Sequence, residues 1–359
     1  MKVAIITNYW KDSDGGGIKT YLVNLVKVLN KKGVEAHVLF REGVDPYQVF
    51  CGKNKIVFLM ASYRHLNKYR PDVIHTHGTW YCLLPGVLYK KLRGCTLVHT
   101  FHTEPTNKLS IPGKYFFQCL LNVCDTVSFV SNGLQKSIND VYGLSFTKTA
   151  ITYGGVEVRE VTHSEVQKFC SSFILKPNYP ILLVQAFTAN ALKAQGLKIV
   201  IQALEILKKT YPDIILLVTR EGRFVDEMKT HSDNMGVRDR IIFTGDVQNP
   251  FVPIIICDVF IFPWLGKSGV GLALLEAMSC CKSVIAFDAG YGSEVVIDGF
   301  NGLLVIPDAI QVAEKIDFLL KNGDYADRLG NNAKITTQNK FTWDLSAEKF
   351  LKLYANQHQ

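Results

Sequence analysis

The chain has no run of about 18 or more uncharged apolar residues, so no membrane-spanning helix is expected. Nor is the opening expected to be a secretory leader: its apolar stretch at residues 1–10 is short and meets Lys11, Asp12 and Asp14 at once. That opening reads as a buried first strand. The nine cysteines include no C-x-x-C pair, and their count is odd. This argues against a disulfide framework or a zinc knuckle and for a reducing, cytoplasmic setting. Most of them sit in apolar runs, where cysteine acts as a small hydrophobe. Low-complexity segments are missing too, and 48% hydrophobic with only 20% charged residues excludes a disordered chain.

What is present is a basic, folded chain of 359 residues with a net charge of +8. That length suits two domains of ordinary size. The charge is lopsided. Residues 1–160 hold 20 Lys and Arg against 11 Asp and Glu, whereas residues 161–359 hold 20 against 21. A basic first half fits phosphate-bearing ligands or an anionic membrane surface, and equally a lysine-rich solvated face. No nucleic-acid recognition motif accompanies it.

Hydrophobic periodicity gives an α/β rhythm. Strands are expected at 3–7, 36–40, 56–59, 73–75, 96–100 and 126–130, with helices at 17–30, 82–92 and 111–123 between them. A polar stretch at about 157–178 follows, bracketed at its end by Pro177 and Pro180. Then the rhythm restarts, with strands at 181–185, 214–219, 241–244, 259–262, 283–286 and 302–305, and helices at 196–209, 223–235 and 271–280. Strands alternating with helices imply parallel, doubly wound sheets, hence two Rossmann-like halves facing an interdomain cleft. The tail at 341–355 reads as an amphipathic helix capped by Thr342, with Leu345 starting its apolar face.

Several residues stand out chemically. Gly15, Gly16 and Gly17 lie between the first strand and first helix, where backbone N–H groups and the helix N-terminus suit an anion, and where three glycines equally suit a flexible turn. They fall short of the full dinucleotide fingerprint. Asp12-Ser13-Asp14 has a D-x-D spacing but reads as a solvated loop. His75, His77, His99 and His102 follow or end two strands; one or two of them read as cleft side chains that hydrogen-bond a ligand rather than as a metal site, while His75 and His99 also suit satisfied strand-end histidines. Residues 268–271 form a small-residue loop before a helix in which Glu276 is the one carboxylate of an apolar stretch. Such a carboxylate needs a partner, and a ribose diol would donate to both its oxygens.

The segments SGVGLALLEAMSC, CKSVIAFDAG, YGSEVVIDG and NGLLV carry a specific resemblance. Together with DVIHTHG, VHTFHT, CDTVSFVS, ITYGGVEV and the closing FTWDLSAEKFLKLY, they resemble glycosyltransferase family 4 along the whole chain. The resemblance implies the GT-B fold. An acceptor-side domain would span 1–160 and a nucleotide-sugar donor domain 161–340, with helix 341–359 returning to the first domain. It implies retaining transfer of a hexose-type sugar to a glycan or lipid-linked acceptor, with no cofactor, no metal and no nucleic acid. Glu276 would bind the donor ribose. His102 would lie near the transferred sugar, and Gly16 and Gly17 would contact phosphate or acceptor. Ser268, Gly269, Val270 and Gly271 would complete the donor site.

Three departures from the family pattern bear on activity. Ser268 stands eight positions before Glu276 where the family has a glutamate that contacts sugar hydroxyls. The usual Arg and Lys pair after the first strand of the second domain is replaced in VQAFTANALKAQGL, where Lys193 is the expected substitute and Gln195 precedes Gly196. The phosphate contacts near Arg220-Glu221-Gly222 are altered as well, and Arg220 or Arg223 would restore charge. These changes keep open a non-catalytic nucleotide-sugar-binding or partner subunit, while a nucleotide-sugar epimerase on the same fold suits the 268–276 pattern less well. The stretch 111–123, with its aromatics and Lys114, is a core helix that also suits a membrane interface, through which the basic first domain would make peripheral contact.

Overall fold

The computed structural model describes all residues except 105–106, 177, 267–269, 290–293 and 356–359. The chain divides into two compact units, Met1–Gly155 with Thr342–Gln359, and Val156–Phe341.

The first unit is built from β1 (Lys2–Tyr9), α1 (Gly16–Lys31), β2 (Glu35–Glu42), β3 (Val49–Phe50), α2 (Lys55–Tyr69), β4 (Val73–His77), α3 (Trp80–Arg93), β5 (Thr96–Phe101), α4 (Ile111–Leu121), β6 (Thr126–Phe129), α5 (Asn132–Tyr142) and β7 (Thr149–Ile151). Its seven strands lie in the order β3-β2-β1-β4-β5-β6-β7. All neighbours are parallel. The central strands are buried on both faces, as parallel strands covered by helices must be.

The second unit contains α6 (His163–Ser172), β8 (Ile181–Gln185), α7 (Ala191–Leu207), β9 (Ile215–Thr219), α8 (Val225–Asn234), β10 (Ile241–Gly245), α9 (Phe251–Ile256), β11 (Val259–Phe262), α10 (Leu272–Ser279), β12 (Ser283–Phe287), β13 (Leu303–Val305), α11 (Ala309–Lys321) and α12 (Gly323–Lys340). Its sheet runs β10-β9-β8-β11-β12-β13, again parallel. The last helix, α13 (Trp343–Ala355), belongs to the first unit. It buries Trp343, Ala347, Phe350 and Tyr354 there.

Some expectations need correction. Residues 56–59 are the first turn of α2, not a strand. Asn54 caps that helix by accepting from Ile56 and Val57 N–H groups, and Phe58, Ser62 and Leu66 bury one face at a spacing of four. Residues 49–50 supply the edge strand instead. The polar stretch before the second sheet contains α6, closed by a capping box between Thr162 and Glu165. Thr342 does cap α13, accepting from Leu345 N–H at 3.2 Å, but Leu345 itself is exposed and the buried face starts at Trp343. Pro177 lies outside the described residues.

Among the described residues, no helix is long and apolar enough to cross a membrane.

Candidate functional site

In the second unit β8 is the topological switch point. The chain leaves it to build β9 and β10 on one side, and returns through β11 to build β12 and β13 on the other. The crevice at the C-terminal ends of β8 and β11 is where open parallel sheets bind ligands. Gln185 ends β8 and is its register partner of Thr219, which ends β9, so the two side chains share a face of the sheet. Both are buried. Gln185 Oε1 and Thr219 Oγ1 have no hydrogen-bond partner among the described residues. Buried polar atoms are rarely left so, and here they line the crevice.

Glu276 projects from α10 to this place. Gln185 Nε2 donates to Glu276 Oε2 at 3.5 Å. Burial pushes the Glu276 carboxyl up to about 7, opposed by the positive charges of Arg220 and Arg159. Arg220 also acts on Lys193, whose ammonium pKa is lowered first by burial and then by that neighbouring charge. Lys193 is therefore not the sole cation in reach. Its Nζ lies 5.5 Å from the Phe187 ring centre, and its backbone N–H donates to the Asn190 cap of α7. Lys193, Arg220 and Glu276 thus form one electrostatic group. Arg223 instead stacks over Phe224.

The backbone around this group is tightly specified. Ala186 and Arg220, each directly after a strand, adopt left-handed conformations with φ of 65° and 73°. Such conformations in non-glycine residues cluster at functional sites. Gly196 lets α7 touch the exit of β11: a Cβ there would stand 1.8 Å from Pro263 O. Gly271 precedes α10 against the Phe262 ring, with partly buried Val270 just before it. Ser268 and Gly269 lie outside the described residues. Asn301, from the NGLLV segment, is fully buried and holds its own loop together, accepting from Ile297 N–H and donating to Val295 O and Thr336 Oγ1.

In the first unit the switch point lies between β1 and β4. Gly16 and Gly17 form the first turn of α1 there, Gly16 with φ of 51°, and a Cβ on either would meet nothing within 4 Å. The turn is open to a ligand. Asp12 and Asp14 are exposed, as the solvated-loop reading expects.

The histidines divide by strand parity. His75 and His77 share one face, with ring centres 4.0 Å apart, while Thr76 bonds His99 on the other at 2.7 Å. His75 is held between the Tyr354 hydroxyl and Thr100 Oγ1, each at 2.7 Å. His77 Nδ1 and His102 Nε2 are 2.8 Å apart, so one donates and the other accepts. Burial lowers all four pKa values, His99 and His102 to about 3, so the rings are neutral at physiological pH. His102 alone of the four keeps some exposure. Among the described residues, no group of three or more His, Cys, Asp or Glu side chains is placed to hold a metal ion.

Two family patterns match this chain. Glycosyltransferase Family 4 covers residues 15–160, and Glycosyl transferases group 1 covers residues 178–336. The chain belongs to glycosyltransferase family 4. Its fold is GT-B, as its neighbours show. A glycosyltransferase from Rickettsia africae superposes with a TM-score of 0.83 at 20% identity, over 100% of this chain and 99% of that one. Anabaena HepE, solved in complex with UDP, gives 0.80 at 18% identity over 99% and 100%. In sequence, the alpha-maltose-1-phosphate synthase of Mycolicibacterium smegmatis is 24% identical over 99% of both chains.

For a family 4 glycosyltransferase the sequence had singled out Glu276, Lys193 and Arg220, and the second unit brings these three together. Gln185, Thr219 and Arg159 were missed. A signal existed for two of them: ILLVQ and ILLVT are apolar strands that each end on a polar residue, where a parallel sheet exposes its ligand edge. Arg159, in an irregular segment before α6, had no local signal.

Proposed function

We propose that this glycosyltransferase binds a nucleotide-sugar donor on its second unit. It transfers a hexose-type sugar with retention of configuration to a glycan or lipid-linked acceptor. The observation that carries this reading is the Glu276 carboxyl, largely buried at the switch-point crevice beside two cations and two polar atoms that have no partner among the described residues. A ribose diol would donate to the carboxylate. Arg220 and Lys193 would face the diphosphate, together with the N-terminus of α10, whose N-cap Gly271 supplies no side-chain cap. One such donor to developing charge is worth about 10²–10³ in turnover, so these cations would carry leaving-group stabilisation without a bound metal. Lys193 is a reasonable replacement for the family's usual pair because Arg220 sits close enough to share the work.

On the first unit, His102 takes its proposed role at the transferred sugar from the family resemblance. As a neutral ring paired with His77, it would act as a hydrogen-bonding group, not as a cation. The open Gly16–Gly17 turn suits phosphate or acceptor oxygen.

Calorimetry with a panel of nucleotide sugars tests the reading. UDP-sugars come first, because HepE was solved with UDP. At least one donor should bind, and Glu276→Gln should weaken it by tenfold or more. Wild-type affinity in that variant would overturn the donor-site assignment. Binding without transfer or hydrolysis would favour the non-catalytic subunit instead.

A further inference from the structure

The first unit exposes large apolar side chains along one continuous edge. In α2, Ile56, Val57 and Met60 point outward, Ile56 being 68% exposed. In α4, Ile111 and Tyr115 are 74% and 67% exposed, and Phe116 lies beside them. Helix α4 is thus split: Phe117, Leu120 and Leu121 serve the core while its N-terminal half faces out. The N-terminus of α3 joins the two groups. Lys55 Nζ lies 5.3 Å from the Tyr81 ring centre, Tyr81 packs edge-on against Trp80 at 5.6 Å, and Trp80 packs on Phe116 at the same distance. All three helices start after a strand end, so this band follows the C-terminal edge of the parallel sheet. The Gly16–Gly17 turn and His102 occupy that same edge.

The exposed charges flanking the apolar groups of α2 and α4 are basic. From residue 46 to 71 there are five Lys and Arg and no acid. Lys53, Lys55 and Lys108 are exposed next to the apolar groups. The nearby acids are engaged: Asp45 by Trp10 and Lys11, Glu42 by Arg41, and Glu104 by Ser137. Asp12 and Asp14 remain exposed on the turn before α1.

We propose that this band docks on an anionic lipid bilayer. Aromatic and aliphatic side chains with interleaved lysines are what a charged membrane interface accepts, the rings entering the headgroup layer and the ammonium groups meeting phosphates. A second copy of the chain fits less well, because the lysines would then meet one another. The bilayer contact does not depend on the donor reading. Its use does: the surface would bring a lipid-borne acceptor to the edge that carries the glycine turn and His102.

The test is sedimentation of the full chain with phosphatidylcholine vesicles and with phosphatidylcholine vesicles containing about one third phosphatidylglycerol. Binding is expected to the anionic vesicles only and should fall with salt. Each lysine near such a surface is worth roughly fivefold in affinity. Lys53→Ser with Lys55→Ser should therefore weaken binding more than tenfold, and Ile56→Ser with Phe116→Ser should weaken it similarly. Thermal melts should stay unchanged, since all four side chains are exposed, and nucleotide affinity, measured without vesicles, should also be unaffected. Failure to bind anionic vesicles, or wild-type binding by both variants, would overturn the proposal. So would a concentration-dependent dimer that both variants abolish, since the band would then be a contact between copies.

Discussion

Glu276 shows how a single side chain is held at the expense of the fold. Its carboxyl keeps a proton up to about pH 7 in the folded chain, against an ordinary value of 4.5. The unfolded chain ionises first. Stability is therefore lost as pH rises from 4.5 to 7 and stays lost above that. The shift corresponds to at most about 3 kcal/mol, less whatever solvent screens. Glu276→Gln should raise the melting temperature at pH 8 and leave it nearly unchanged at pH 4, which scanning calorimetry will read. A variant no more stable than wild type at pH 8 would mean the carboxyl is better solvated than its position indicates. Nucleotide binding should have the opposite profile, weakening as pH falls below about 7, because a ribose hydroxyl bonds best to the ionised acid. The residue was legible in the sequence as a lone carboxylate in an apolar helix. Its neighbours Gln185 and Thr219 left only the weaker signal of a polar residue closing an apolar strand, and the register that sets them side by side is not written in either segment.

Elements here are positioned by close backbone approach more than by propensity. Helix α7 lies against the exit of β11 only because residue 196 has no side chain. Gly196→Ala should destabilise the second unit by about 2 kcal/mol or more, as overpacking of a rigid contact does. It should also weaken nucleotide binding, since Lys193 sits about one turn before Gly196 on α7. Denaturant unfolding together with calorimetry checks both effects. A neutral result would mean that α7 can shift without disturbing the site. The misreading at 56–59 teaches the same lesson from the other side. An I-V-F-L run looks like a strand by composition, but the Asn54 cap and the burial of Phe58, Ser62 and Leu66 turn it into a helix. Local pattern gave no measure of where that face would pack.

The chain's two units differ in how they are made. The second is one continuous segment, whereas the first needs a helix from the far end of the chain. Helix α13 covers β4 and β5 with Phe350 and Tyr354, and Tyr354 is bonded to His75. Burying a large apolar side chain contributes about 1.5–3 kcal/mol, so losing Trp343, Phe350 and Tyr354 together removes a large share of a domain's stability. A fragment of residues 156–341 should melt cooperatively by calorimetry, while residues 1–155 alone should not. A cooperative melt for 1–155 would show that α13 is an accessory. In the full chain the first unit should also be the acid-sensitive one. Its strand-end His75, His77, His99 and His102 are held neutral by burial, so their contribution to stability is complete above about pH 6.5 and falls as pH drops below it, where the unfolded rings take protons.

By itself the sequence determined the α/β rhythm, the lopsided charge, the family and the Glu276 motif, because each is written in local spacing or in contiguous segments. The tertiary structure alone decided three other things. It set Gln185 beside Thr219 and Glu276, brought Tyr354 to His75 across most of the chain, and joined exposed side chains of three helices into one basic, apolar edge. These depend on sheet order and register, which place residues far apart in sequence within a few ångströms and leave no trace in either segment read alone.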